Sequence, residues 1–199
     1  MEEKLLTIGQ AAEYLGVSLN TLRRWDENGK LVAIKKGGGT IFNARLTKMQ
    51  DILIRKPGFE ELYSLIVLIT GEIGDNSFAH NLGKWPDTAG IFFGYDLEKR
   101  IIVLADRGLG VLATLRQARP KLSNHVEAVK VAFTEFVSGR APEKRGNGLK
   151  LVREVVADRP IDLFFTSGDA EVRMKGQDKV FRVTRGQRVV RGCLAKIEF

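Results

Sequence analysis

Three short stretches of this 199-residue chain hold side chains whose types and spacing could do chemistry. Glu72, Asn76 and His80 recur every four residues, so on a helix they follow one another along one face. An acid, an amide and an imidazole in line suit a metal-and-phosphate face, although polar residues at this interval also form ordinary exposed stripes. Asp106-Arg107-Gly108-Leu109-Gly110 follows an apolar run. A carboxylate at a strand end accepts a hydrogen bond from an exocyclic amine such as adenine N6, and the glycines let backbone pass close to a ligand. Gly146-Asn147-Gly148-Leu149 ends a polar stretch at a helix start, with Lys144 and Arg145 just ahead. Free N–H groups and the positive dipole end there suit phosphate.

These stretches need elements to hold them. Phe59, Leu62, Leu65, Ile66, Ile69 and Ile73 predict a long helix over 58–82 that carries the first stretch. Residues 90–95 and 100–104 read as strands joined by a turn at 96–99, the second running into Asp106. A helix over 123–138, capped by Ser123, precedes the polar stretch, and 149–156 reads as another helix. Strand patterns at 161–166, 170–174, 179–183 and 193–198 finish the chain.

Ahead of Arg55-Lys56-Pro57-Gly58 the pattern differs, and a boundary is expected near 57. Thr7 can cap a helix through Ile8, Ala11, Ala12 and Leu15, and Ser18 a second with Leu19, Leu22 and Trp25 on one face. Residues 31–36 read as a strand, Gly37-Gly38-Gly39 as a hairpin tip and Thr40–Phe42 as the return strand. Two helices and a hairpin describe a winged helix-turn-helix. The run TIGQAAEYLGVSLNTLRRWDENGKL resembles the MerR/excisionase DNA-binding domains, the likeness covering about residues 5–42. That resemblance implies a second helix in the major groove. Asn20 and Thr21 would lie near bases, Arg23 and Arg24 at phosphates or guanine edges, and Lys35 and Lys36 at phosphates from the wing. Thr40-Ile41-Phe42 lacks the His and Arg usual in that wing, which implies a weaker grip and leaves a protein-interaction module as the alternative.

Taken in order, E-x-x-x-N-x-x-x-H, D-x-G-x-G and G-x-G-L resemble the N, G1 and G2 boxes of the GHKL ATPases over residues 58–199. The run LITGEIGDNSFAHN is most similar to the anti-sigma serine kinase branch. The two resemblances together imply an α+β chain: a winged helix-turn-helix (1–57), then a two-layer α/β sandwich of the Bergerat type (58–199). That sandwich would bind Mg²⁺ and ATP between helices and a mixed sheet. Asn76 would hold Mg²⁺, Asp106 would read adenine, and Gly108 and Gly110 would shape its pocket. Gly146 and Gly148 would contact phosphates under a lid, and Glu72 would be the catalytic base. Lys84 and Arg107 are candidates for the rim, and His80 is either near phosphate or structural. No phosphoacceptor histidine stands upstream; His125 reads as an ordinary helix residue, which argues against a sensor histidine kinase.

Composition sets the outer limits. A net charge of +8 favours polyanionic partners, although a solvated basic surface explains it as well. No apolar run approaches the roughly 20 residues of a membrane span, and the single cysteine, Cys193, fits a reducing cytoplasm. The expectation is a cytoplasmic DNA-binding regulator modulated by ATP. Its alternative is an anti-sigma-type serine/threonine kinase acting on a sigma- or antagonist-like protein. A sandwich that has lost nucleotide binding is a third reading, and the oligomeric state stays open.

Overall fold

A computed structural model describes residues 18, 20, 32–34, 39–81, 91–135 and 148–199. Its elements are β1 (Val32–Ile34), α1 (Gly39–Arg55), α2 (Tyr63–Asn81), β2 (Ile91–Asp96), β3 (Ile101–Asp106), α3 (Gly110–Leu115), α4 (His125–Thr134), α5 (Gly148–Asp158), β4 (Asp162–Met174) and β5 (Val183–Glu198).

The strands form one sheet in the order β1-β2-β3-β5-β4, every described pair antiparallel. The sheet is therefore not the mixed one that the ATPase resemblance implies. Its register explains where the site lies. Paired residues of neighbouring strands share a face. Three rows cross β2, β3, β5 and β4: Tyr95–Ile102–Ile197–Leu163, Phe93–Leu104–Ala195–Phe165 and Ile91–Asp106–Cys193–Ser167. The first two rows are aliphatic and aromatic and belong to the core under the helices, Tyr95 only partly buried. The third turns polar at Asp106, so the apolar face ends in a row that can recognise something.

Helix α2 lies on this face. Its buried residues, Ile66, Ile69, Thr70, Ile73 and Ser77, repeat at the helical interval. The helix starts at Tyr63 rather than 58, because Pro57 and the left-handed Gly58 (φ 82°) break the chain first. A smaller cluster, Leu112, Leu115, Leu122, Ala128 and Val131, joins α3 to α4.

Several expectations are corrected. Thr40–Phe42 is not a strand but the first turn of the 17-residue α1. Phe42, Met49 and Leu53 follow one another at the helical interval and are fully buried, so the helical period wins over the β-branched residues at its start. The strand beside it, β1, pairs with β2 instead of closing a wing. The expected strands at 161–166 and 170–174 are one strand with a register shift around Gly168, and 193–198 extends back to Val183. Residues 179–182 are not strand. Helix α4 is capped by Asn124, which accepts the Glu127 N–H at 2.9 Å; Ser123 instead donates to the Glu127 carboxylate.

Helix α1 lies on the N-terminal side of the expected boundary near 57, yet it packs into the same core as α2 and the sheet. The Phe42 ring meets Phe93 edge-on at 5.2 Å and sits against Gly74 of α2, where any Cβ would strike it.

Candidate functional site

The N–H of Gly108 donates to Asp106 Oδ1 at 2.8 Å, and the Ser77 hydroxyl donates to Oδ2 at 2.8 Å. Asp106 and Ser77 are both buried. A buried carboxylate is tolerated when hydrogen bonds replace its water.

The floor beneath Asp106 is backbone. Gly192 (φ 77°) lies so close that a Cβ there would strike the Asp106 carbonyl and carboxylate. Gly110 (φ 74°) opens α3, and a Cβ there would come within 2.9 Å of Ser167 Oγ. The Ser167 hydroxyl donates to the Gly192 carbonyl at 2.8 Å and accepts the Val111 N–H at 3.0 Å, which ties β4, β5 and α3 together. The Cys193 thiol points at Ser167 Oγ, 3.6 Å away. Burial, and then the nearby Asp106 charge, push that thiol far above its ordinary range, so it stays protonated and inert.

The neighbouring residue of α2 faces elsewhere. Successive helix positions differ by about 100°, so while Ser77 reaches Asp106, Asn76 and Glu72 sit one turn apart on an adjacent strip. The start of α5 lies opposite them. A Cβ at Gly148 would stand 2.5 Å from Glu72 Oε2 and 3.4 Å from Asn76 Nδ2. Glycine there brings a helix N-terminus against an acid and an amide with no side chain between. The Glu72 carboxyl is raised above its ordinary value, first by burial and then by Asp75, whose own carboxyl burial also raises.

The structure thus brings together Glu72, Asn76 and Gly148, and, across the same helix, Asp106, Gly108 and Gly110. His80 lies in the last turn of α2. Asn20 is helical and exposed. The expected roles of Thr21, Arg23, Arg24, Lys35, Lys36, Lys84, Lys144, Arg145 and Gly146 fall outside the described residues. His125 opens α4 and pairs with Asp169 at 2.9 Å.

Sequence reasoning missed Ser77, Ser167 and Gly192. A glycine within a strand pattern, as in Arg191-Gly192-Cys193, is the one signal that points to close backbone approach.

Residues 5–45 match the family model for a helix-turn-helix domain. The match covers about a fifth of the chain and runs across β1 into α1. No curated protein matches the chain. Among the described residues, no helix is long and apolar enough to cross a membrane, and no three His, Cys, Asp or Glu converge as a metal cage.

Proposed function

We propose that the chain is a cytoplasmic DNA-binding regulator whose sheet-and-helix part binds Mg²⁺ and ATP in the manner of the GHKL ATPases. The observation that carries this reading is the double use of α2. One strip gives Ser77 to Asp106, and the next gives Glu72 and Asn76 to the start of α5. The helix is therefore the shared wall of a base-reading end and a phosphate-facing end. A two-layer arrangement, with the helices on one sheet face, supports the same reading.

The residues present fit the ligand. Asp106 ends β3, where the Ser77 hydroxyl and the Gly108 N–H orient a carboxylate of the kind that accepts an exocyclic amine. Gly148 adds no side chain to a helix N-terminus suited to phosphate, and Glu72 and Asn76 stand directly against it. Asn76 would hold Mg²⁺ through its amide oxygen; such an ion, needing few protein ligands beside phosphate oxygens, supplies charge neutralisation. Glu72 would orient and deprotonate a water or hydroxyl. Its partial burial keeps the carboxyl more basic than a solvated one, which suits a proton acceptor.

In this reading the N-terminal segment supplies DNA contacts through Asn20, Thr21, Arg23 and Arg24, as its helix-turn-helix match suggests. We place the seam between the two parts ahead of β1 rather than near 57, since α1 belongs to the core of the second part. Lys35 and Lys36 would then follow β1, on the second part's side of that seam. ATP would act by favouring one of two arrangements with different DNA affinity.

Calorimetric titration with Mg–ATP tests the nucleotide half. Saturable binding that Asp106→Asn weakens for ATP more than for GTP is the expected result; no heat from ATP at millimolar concentration sinks it. Gel shifts with and without Mg–ATP test the coupling, and identical shifts remove it. The basic Glu72 also favours a second reading, phosphoryl transfer to a serine or threonine of a partner protein. Labelled phosphate on such a partner, lost in Glu72→Gln, would select it.

A further inference from the structure

The paired strands β4 and β5 extend beyond the site as an arm, and the chain's charge is concentrated there. Residues 171–191 contain seven basic and two acidic side chains, so five of the eight net positive charges fall in about a tenth of the sequence. Arg173, Lys175, Lys179, Arg182, Arg185 and Arg188 are exposed. We propose that this arm is a second DNA-backbone contact, distinct from the helix-turn-helix and from the nucleotide site. The proposal shares only the expectation that the chain meets DNA.

The arm is built to present charge. Its inner side is anchored: Val172 and Met174 are buried, and the Phe181 ring stacks on Phe133 at 5.5 Å. The register then breaks. Gly168 pairs with Val190 but Ala170 with Arg185, so Gly186 to Val189 bulge out opposite the single residue Asp169. The bulge carries Arg188 beside Val189, which is 77% exposed. Two arginines are steadied from the side and still face solvent. Arg185 pairs with Asp169 at 3.1 Å while 70% exposed, and Arg173 with Glu171 at 3.2 Å while 72% exposed. Among the described residues, Lys175, Lys179 and Arg182 have no ion-pair partner.

The composition of the patch selects nucleic acid over its rivals. Five of the seven cations are arginine, whose planar fork matches phosphate oxygens. Val180 and Val189 are its exposed apolar side chains. A bilayer-inserting face or the core of a protein interface needs a larger apolar or aromatic centre. The helix-turn-helix match supplies an independent reason for a duplex to be within reach.

The test is the salt dependence of binding of the full chain to a fluorescent duplex of mixed sequence. Each phosphate contact contributes about 0.9 to the slope of log affinity against log salt. Lys179→Gln/Arg182→Gln/Arg188→Gln should flatten that slope by about 2–3 and weaken binding at least tenfold at moderate salt. Its circular dichroism should match the wild type. Arg23→Gln/Arg24→Gln separates the two readings. If the arm variant flattens the slope and this helix variant does not, the arm stands and the helix contact falls. If the helix variant abolishes binding while the arm variant binds with the wild-type slope, the arm proposal is overturned and the helix-turn-helix reading survives. Wild-type binding by the arm variant would leave the patch to an acidic protein.

Discussion

The two ends of the candidate site are held by different means. Around Asp106 the chain is locked by backbone: two glycines with positive φ, a serine bridging three elements, and a hydroxyl reaching over from α2. Around Glu72 and Asn76 the walls are half-buried side chains facing a single glycine at a helix start. In the proposed reading the first end reads a base and must hold its acceptors in one geometry to discriminate, whereas the second faces phosphate and has to admit changing charge and a moving proton. The contrast teaches that damage at the first end should reach the fold, while damage at the second should reach chemistry alone.

The largest expected effect breaks the rigid end. Gly192→Ala forces a side chain into the left-handed region and onto the Asp106 carbonyl, which is backbone and cannot turn away. Strain and overpacking together should cost about 2–5 kcal/mol of stability. Denaturant unfolding reads this directly. A midpoint within error of wild type would show that β3 and β5 can separate, and the contrast would be lost.

Ser77→Ala comes next. It removes one donor from a buried carboxylate, which should destabilise the protein by about 1.5–3 kcal/mol. It should also weaken Mg–ATP by roughly tenfold, with the preference for adenine over guanine reduced, because Asp106 then loses the bond that orients Oδ2. Loss of stability with unchanged nucleotide preference would make Ser77 a packing residue only.

These two residues also mark what could be read without the structure. Asp106 and Glu72 were legible because side-chain chemistry at strand ends and helix intervals leaves a spacing in the sequence. Ser77 and Gly192 were not, since a serine beside Asn76 and a glycine in a basic strand acquire meaning only from tertiary approach. From α2 onward most elements were legible from period, but the six-residue α3 is too short to show one, and 179–182 carries a strand pattern without being strand. Helix α1 was missed because three glycines followed by Thr40-Ile41-Phe42 favour a hairpin locally, and only burial of Phe42 against Gly74 and Phe93 selects the helix.

Gly148→Ala sharpens the comparison, being the same substitution as Gly192→Ala at the other end. The new Cβ would press on Glu72 Oε2, the far end of a flexible side chain that can swing away. Stability should therefore change by no more than about 1 kcal/mol, the scale of an ordinary helix glycine exchange. Phosphate-dependent affinity should still fall, since the methyl covers the helix start and displaces Glu72 from it. ATP and adenosine titrated side by side would show it: ATP weakened, adenosine unchanged. Equal loss for both would mean that the two ends are one rigid body.

The smallest expected effect on stability is also the most diagnostic of the phosphate end. Burial and Asp75 raise the folded-state carboxyl of Glu72. At a pH below the unfolded carboxylate range, both states hold this proton and Glu72 makes no difference. As pH climbs through the unfolded value, the unfolded chain loses its proton first, so wild-type stability declines until the folded carboxyl has also ionised. Glu72→Gln cannot titrate and should escape that decline. The side chain is only half buried, so solvent screens most of the effect and the gain should stay within about 0.5 kcal/mol. It should appear near neutral pH and vanish below about pH 4. Urea midpoints of the two proteins across that range would reveal it. A gain of the same size at every pH would trace the difference to amide packing, and Glu72 would then lose the raised carboxyl on which its proposed role as a base rests.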